Sequence, residues 1–189
     1  MPHAGLELTD ERRGLRLVYT RTDPGHLEME WFAQPGRLTV GRPHEHAQGG
    51  EERWELLSGE AAYRVGKDEQ RVTAPHAWKI PPDTAHVHPW NVGDGEMHVR
   101  QTVESAEHPS VPDGVGRYFE TVFALSAQGK VDDKGDITDL LQSAVTIREL
   151  LLGGTWLSGP PRWLQRALFG TLAALARRTG RTGYVPYPG

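Results

Sequence analysis

The stretch PHEHAQGGEERWELLSGE, residues 43–60, decides how the rest of the chain is interpreted. It sets His44 and His46 one residue apart and follows them with Glu51, Glu52 and an apolar run. Because alternate side chains of an extended strand share a face, the two imidazoles can converge on one point. A carboxylate arriving from the next strand would complete a group able to bind a metal ion.

Short predicted strands lie on both sides of this stretch, from residue 15 to about residue 104. Segments such as GLRLVYTR, HLEMEWFA and EMHVRQTV alternate with turns rich in Gly, Pro and Asp. Strands at such regular spacing are typical of an all-β sandwich or barrel. Further along, the apolar residues recur at helical spacing over residues 115–126, 137–152 and 162–180. The sequence therefore predicts a mainly β domain followed by three helices.

Length and composition limit the kinds of partner. With 189 residues, 37% of them hydrophobic, the chain can build one domain with a real core. The net charge of -4 and the scattered arginines provide no basic surface for nucleic acid. The chain contains no cysteine, so a bound metal must be held by imidazole and carboxylate groups. We therefore expect neither a nucleic-acid partner nor thiolate chemistry.

The N-terminal residues and the third predicted helix bear on location. The N-terminus lacks the apolar core of a signal peptide, and no segment approaches the roughly 20 apolar residues of a membrane span. We expect a cytoplasmic protein. The third helix carries an apolar stripe flanked by Arg162, Arg166, Arg177 and Arg178, which could lie on anionic lipid. Packing on the barrel or on a partner subunit is the alternative that we favour, so membrane association is not expected.

Two motifs in order resemble those of the cupin superfamily. The first runs from His44 and His46 through Glu52 to Gly59, and the second runs from Ile80 to His86 and is followed by Asn91. The resemblance covers about residues 36–103, and the helical tail is similar to that of uncharacterised single-domain bacterial cupins. It implies a double-stranded β-helix, or jelly-roll barrel, over residues 1–108. Residues 109–189 would form a helical extension that packs on the barrel or on a partner subunit.

The same resemblance implies a metal site. Its ligands would be His44, His46, Glu52 and His86, and they would hold one divalent transition metal per chain. We expect iron, with manganese, nickel, copper or zinc as alternatives. Three imidazoles and one carboxylate leave coordination positions open for a substrate or dioxygen. The alternation of side chains along the strand agrees with Glu52 as a ligand, since Trp54 shares its face and would also point into the barrel.

Three departures from the cupin pattern keep alternatives open. One extra residue separates His46 from Glu52, and a turn at residues 49–50 would absorb it; Glu51 therefore stays an alternative ligand. Asn91 is one place late, so His88 could replace His86 as a ligand. Asp83 stands where the second motif usually has glycine, and Asp tolerates the left-handed backbone conformation that such a turn needs.

Several aromatic and polar residues could line a substrate pocket. Trp54, His88 and Trp90 would project toward the cavity and form an apolar wall, although the tryptophans could equally be core residues. Arg42 shares the parity of the histidine pair and could bind a substrate carboxylate. An exposed arginine in an ion pair is the alternative for Arg42.

The strand after the second motif offers a further pair of candidates. His98 and Arg100 alternate along it, and both could face the cavity. There His98 could act as an acid or base and Arg100 could orient the substrate. In the alternative, which we favour, these side chains face solvent while Met97, Val99 and Val103 face the core.

These features predict a metal-dependent enzyme that acts on a small organic molecule, with an aromatic or dicarbonyl compound as the candidate substrate. The leading hypothesis is a mononuclear non-haem oxygenase of the dioxygenase type, in which Glu52 stays ligated or leaves to take a proton. A metal-dependent isomerase or polyketide-type cyclase would use a comparable pocket without redox chemistry. A non-catalytic binding or sensing protein and a membrane-peripheral interaction protein are the other hypotheses. From the resemblance, and because an open barrel exposes sheet edges, we expect a homodimer.

Overall fold

The structure, a computed structural model, describes residues 2–37, 42–46 and 50–188. Within these ranges the chain forms the strands β1 (Glu7–Asp10), β2 (Leu15–Asp23), β3 (His26–Ala33), β4 (His44–His46), β5 (Glu51–Ser58), β6 (Glu60–Val65), β7 (Asp68–Thr73), β8 (His76–Ile80), β9 (His86–Asn91), β10 (Met97–Glu104) and β11 (Thr155–Leu157). The helices are α1 (Ser110–Ala127), α2 (Leu140–Leu152) and α3 (Arg162–Arg178). The start of the strand predicted before His44, over residues 38–41, and Gly49 of the predicted turn lie outside the described residues.

The strands form two antiparallel sheets. One sheet has the order β1-β2-β3-β10-β5-β8 and the other has the order β11-β4-β9-β6-β7. Strands that are distant in sequence lie side by side in both sheets, as in a jelly-roll barrel rather than a simple meander. The predicted mainly β, cupin-type fold with C-terminal helices is confirmed.

The core lies on the inner face of the larger sheet. β3 and β10 alternate strictly between buried and partly exposed residues, as expected for strands with one face against a core. Trp31 of β3 and Trp54 of β5 are fully buried there. Phe119 of α1 packs edge-on against Trp31, with ring centroids 4.7 Å apart. The apolar face of α1 thus closes the core from the helical side.

A side-chain cap sets the start of α2. α2 begins at Leu140, later than the predicted residue 137, because the side chain of Asp139 accepts hydrogen bonds from the backbone N–H groups of Leu141 and Gln142.

α2 packs against α3, while α1 contacts β1, β3 and β10. Among the residues that the structure describes, no helix is both long and apolar enough to cross a lipid bilayer.

One strand was not predicted from the sequence. β11 follows α2 and pairs with β4 in antiparallel register, with Thr155 opposite His46 and Leu157 opposite His44. A segment from the C-terminal part of the chain therefore extends the sheet that carries the histidine pair. The division of the chain at residue 108 into a barrel and an extension stays a prediction.

Candidate metal centre

Four buried side chains converge between the two sheets. His44 and His46 lie on β4, and His86 lies on β9 directly opposite His44. Glu52 lies on β5 of the facing sheet and is fully buried. One nitrogen or carboxylate oxygen from each of the four residues lies within 4.8 Å of all the others. The structure thus brings together the four residues that the resemblance implied as ligands.

Hydrogen bonds on the outer side of the rings fix how the histidines face the centre. Nδ1 of His44 lies 3.0 Å from the carbonyl oxygen of Arg42, and Nδ1 of His86 lies 2.9 Å from that of Thr84. Because a carbonyl oxygen can only accept, both Nδ1 atoms carry the proton. Each Nε2 atom then presents its lone pair to the centre. Orientation by an outer hydrogen bond is the usual arrangement of metal-binding histidines.

His46 is oriented by the C-terminal part of the chain. Its Nδ1 lies 2.9 Å from the hydroxyl oxygen Oγ1 of Thr155, which is buried in β11. On the inner side, Nε2 of His46 lies 2.8 Å from Oε2 of Glu52. The ring is therefore held from both sides, and its position depends on the pairing of β11 with β4.

A chain of buried hydrogen bonds holds the carboxylate. The side-chain amide of Gln101 donates to Oε1 of Glu52 at 2.9 Å, and Nε1 of Trp31 donates to Oε1 of Gln101 at 2.8 Å. Glu52, Gln101 and Trp31 are all fully buried. With Oε1 engaged by Gln101, Oε2 is the oxygen that faces the histidines. This support was not predicted from the sequence, although a glutamine among the inward-facing apolar residues of β10 was an available signal.

The electrostatics of the centre favour a neutral His44 and an ionised Glu52, whereas at His86 burial is outweighed by the charge of Glu52, which raises the pKa. Burial, reinforced by the neighbouring imidazoles, holds the pKa of His44 well below its usual range. Burial alone would raise the pKa of Glu52, but the favourable interaction with the facing imidazoles, that of His86 first, and the hydrogen bond from His46 outweigh it. The pKa of Glu52 is therefore well below its usual range. A neutral imidazole and an ionised carboxylate are the forms that coordinate a metal ion.

The donor set fits a metal ion. Nε2 of His86 lies 3.0 Å from Oε2 of Glu52, yet it is buried without a hydrogen-bond partner. A lone pair facing a carboxylate oxygen at this distance is unfavourable unless a proton or a cation lies between them. Three imidazole nitrogens and one carboxylate oxygen suit first-row transition metals.

His88 lies beside this group and faces the adjoining cavity. Its Nε2 lies 3.3 Å from Oε1 of Glu52, and neither ring nitrogen has a hydrogen-bond partner. Burial lowers the pKa of His88 to about 3, so the ring is neutral. The ring packs edge-on against Trp54, with centroids 4.8 Å apart. His88 is thus a neutral polar group of the cavity wall, available to a bound molecule.

The cavity opens from the histidines toward the helices. The described residues that line it are Arg42, His44, His46, His88, Val115, Tyr118, Phe119, Gly135, Asp136, Ile137, Ser143, Ile147, Leu150, Thr155 and Leu157. Arg42 forms an ion pair with Asp136, with 2.6 Å between nitrogen and oxygen. Trp54 lies behind His88, and Trp90 is half-buried and is not among these lining residues.

The strand order and the histidine–glutamate group between the sheets are the features that the two sequence motifs imply. The chain resembles the cupins in fold. A scan against family models and a search of curated proteins find no match to it.

Solved structures of cupin type match about half of the chain. An uncharacterised protein with a double-stranded β-helix domain from Klebsiella pneumoniae has 22% identity and a TM-score of 0.42, with 48% of this chain and 76% of that chain covered. A predicted oxalate decarboxylase from Thermotoga maritima has 13% identity and a TM-score of 0.43, with coverages of 48% and 79%. A cupin-superfamily sugar phosphate isomerase from Silicibacter pomeroyi has 14% identity and a TM-score of 0.42, with coverages of 49% and 60%.

The departures from the cupin motifs have local explanations. Glu51 lies on the outer face of β5, where it pairs with Arg53 and Lys79, so Glu52 is the inward carboxylate. Asp83 adopts the positive φ of 57° that a glycine would usually supply. His86 belongs to the four-residue group, and His88 lies next to it on the cavity side.

Two candidate residues lie away from the centre. His98 and Arg100 are on the outer face of β10, where both pair with Glu30 at 3.0 Å, and His98 stacks on Phe32. This is the solvent-facing alternative rather than the cavity-facing one, because the inward positions of β10 belong to the other parity, which includes Gln101. Arg42 does lie at the cavity, but as one half of an ion pair.

Proposed function

We propose that the protein is a metal-dependent enzyme acting on a small organic molecule, and that within this class it is a mononuclear non-haem oxygenase. The observation that carries the proposal is the buried group of three histidines and one glutamate with a cavity on one side. Closed structural sites surround the ion with protein ligands, whereas catalytic sites keep a position open to a substrate. The side of this group that faces the cavity is suited to that open position.

The side chains have distinct roles in this proposal. His44, His46, His86 and Glu52 would hold one divalent ion, with iron as the first candidate and manganese, nickel, copper or zinc as alternatives. When bound, such an ion activates dioxygen or polarises a chelating oxygen of the substrate. The Nδ1 hydrogen bonds keep the rings in position, and Gln101 keeps Glu52 in position.

Proton transfer would involve Glu52, and substrate positioning would involve His88. Glu52 would accept a proton from the substrate only after leaving the ion, and it would do so at Oε2, because Gln101 engages Oε1. His88 has two ring nitrogens without partners at the cavity wall, and one of them would hydrogen-bond to the substrate. The same base would also serve a redox-neutral isomerase or cyclase, which is the second candidate function.

Metal analysis tests the proposal. We would measure the elemental content of the untagged protein and reconstitute the apo form anaerobically with iron, manganese, nickel, copper and zinc. About one tightly held redox-active ion per chain, with oxygen uptake on aromatic or dicarbonyl compounds, is the expected result. Zinc or nickel alone would favour the isomerase or cyclase. Failure to bind any of these metals would overturn the proposal and favour a binding protein.

Histidine variants provide the matched control. His44→Ala and His86→Ala should each lose the ion. His98→Ala, which changes a histidine on the outer face of β10, should keep it. Full metal content in the first two variants would contradict the ligand assignment.

We also propose that the protein is a homodimer. The support is an exposed apolar face on α3, on which Leu168 is 51% exposed and Leu175 is 49% exposed. Exposed apolar surface of this kind commonly marks a contact with another protein. The cytoplasmic location stays a prediction.

A further inference from the structure

Most of the described lining of the cavity comes from the chain beyond the barrel strands. The barrel contributes Arg42 and the three histidines His44, His46 and His88. The remaining lining residues lie between residues 115 and 157, on α1, on the loop before α2, on α2 and on β11. The cavity volume is about 40 Å³, and the cavity is open to solvent on one side, so that its lining can be reached from outside.

The wall that faces the histidines is apolar. Its side chains include Phe119 on α1, Ile147 and Leu150 on α2, and Leu157 on β11. Among the described lining residues, Arg42 and Asp136 are the ones that carry a full charge, and they neutralise each other in their ion pair. A phosphate or carboxylate group on the part of the substrate that contacts this wall would therefore find no unpaired cationic side chain there.

Contacts with the barrel keep this wall in place. β11 is hydrogen-bonded to β4, and the hydroxyl group of Tyr19 donates to the carbonyl oxygen of Gly116 in α1 at 2.8 Å. Arg162, at the start of α3, pairs with both Glu45 and Asp83. The first two contacts anchor the wall directly and the third anchors α3, which packs against α2, so the wall is a preformed surface.

We propose that residues 115–157 form the substrate wall of the metal centre and select a molecule with an uncharged apolar body, such as an aromatic ring. The other end of that molecule carries the oxygen atoms that approach the metal. The inference rests on the proposed function, because the oxygen-bearing end requires a bound ion. It assigns to the C-terminal part of the chain a role in substrate selection rather than in packing alone.

Hydroxamates that share one chelating head group test the oxygen-bearing end and the apolar body of the bound molecule separately. We would load the protein with cobalt(II), whose visible spectrum reports ligand binding, and titrate it with acetohydroxamate, benzohydroxamate and 4-carboxybenzohydroxamate. Benzohydroxamate is expected to bind at least about tenfold more tightly than acetohydroxamate, since its ring buries apolar surface against the wall. The added carboxylate should remove most of this gain.

Two variants of α2 test whether the ring of benzohydroxamate binds against the wall. Ile147→Ala should weaken benzohydroxamate binding about fivefold and leave acetohydroxamate binding unchanged, because only the ring reaches the wall. Leu152→Ala is the matched control, since Leu152 is on the same helix, is 57% exposed and is not among the lining residues. It should leave the binding of both probes unchanged.

The outcomes separate this inference from the proposed function. If the wild-type protein takes up neither cobalt nor any of iron, manganese, nickel, copper and zinc, both fall together, and a metal that does bind replaces cobalt in the titrations. If cobalt binds but the three hydroxamates bind with equal affinity, the inference alone is overturned, and this comparison needs no variant to fold. A benzohydroxamate advantage that Ile147→Ala leaves intact would also overturn it, because the ring would then lie elsewhere.

Discussion

The Nδ1 atom of His46 lies 2.9 Å from the hydroxyl oxygen of Thr155, a residue 109 positions further along the chain. The two residues also face each other in the register of β4 and β11. A strand pair between distant parts of the chain thus fixes the orientation of a candidate metal ligand.

Removing the hydroxyl group of Thr155 should weaken metal binding. Thr155→Val keeps the shape of the side chain but leaves Nδ1 of His46 without its partner, and loss of such an outer hydrogen bond typically lowers metal affinity about 10–100-fold. Competition with a chromophoric chelator measures the change. Thr155→Ser should restore most of the affinity, and Thr171→Val, on the exposed side of α3, should have no effect. Equal affinities for Thr155→Val and the wild type would show that the bond is not needed.

The two adjacent glutamates should differ sharply. Glu52→Gln places a neutral amide where the buried carboxylate faces the histidines, so metal affinity should fall by at least about tenfold. Glu51→Gln changes only outer-face pairs with Arg53 and Lys79 and should leave affinity unchanged. Isothermal titration of both variants with the native metal makes the comparison. A larger loss in Glu51→Gln would shift the register of β5 by one residue.

The support of Glu52 by Gln101 should contribute to stability as well as to metal binding. Gln101→Leu removes the donor to Glu52 and leaves Nε1 of Trp31 buried without an acceptor. An unsatisfied buried group costs about 1–3 kcal/mol, so the apo protein should unfold at lower urea concentration. Thr102→Val, at the next and outward position of β10, is the control. An unchanged unfolding midpoint in Gln101→Leu would count against this account.

A buried ion pair away from the metal centre should give the protein an acid-sensitive component of stability. Asp10 pairs with Arg13 at 2.5 Å and also accepts from Ser126, and both members of the pair are buried. Burial raises the pKa of Asp10, but the hydrogen bonds from Ser126 and Arg13 outweigh it and hold the pKa below its ordinary value of 3.8. Because the folded pKa is depressed, this stabilisation is present above pH 3.8 and is lost as the pH falls through the folded pKa.

Urea unfolding at several pH values checks this. Asp10→Ala should lose about 3–5 kcal/mol at pH 7, because Arg13 is left buried without its partner. The difference from the wild type should shrink below pH 3.8. Asp133→Ala, which removes an exposed partner of Arg12, should cost no more than about 1 kcal/mol. A difference between Asp10→Ala and the wild type that stays constant with pH would contradict the ionic origin.

The exposed apolar face of α3 should form the contact with a second copy of the chain. Leu168→Asp places a charge within this apolar surface, so the mass measured by light scattering should fall from that of a dimer to that of a monomer. Leu57→Asp changes an exposed leucine on β5 and should leave the mass unchanged. A wild-type protein with the mass of one chain would refute the homodimer.

The sequence predicted the features that depend on local pattern. The regular strands and turns indicated the barrel, the order of His44, His46 and Glu52 indicated the metal centre, and the period of two along β5 favoured Glu52 while leaving Glu51 as an alternative. Along β10 the same rule favoured outward-facing His98 and Arg100, but only weakly, because Gln101 is polar on the buried face and makes both faces of the strand look alike. β11 could not be predicted, since three residues carry no periodic signal and the pairing with β4 depends on tertiary packing.

The pairing of β11 with β4 sets an order of events during synthesis. The four candidate ligands leave the ribosome by residue 86, but the hydroxyl group that orients His46 and the strand that lies beside it follow only at residue 155. A nascent chain that has just completed its barrel strands would hold an ion with one loosely oriented imidazole. Metal loading in the cell should therefore become tight only after residue 155 has been synthesised.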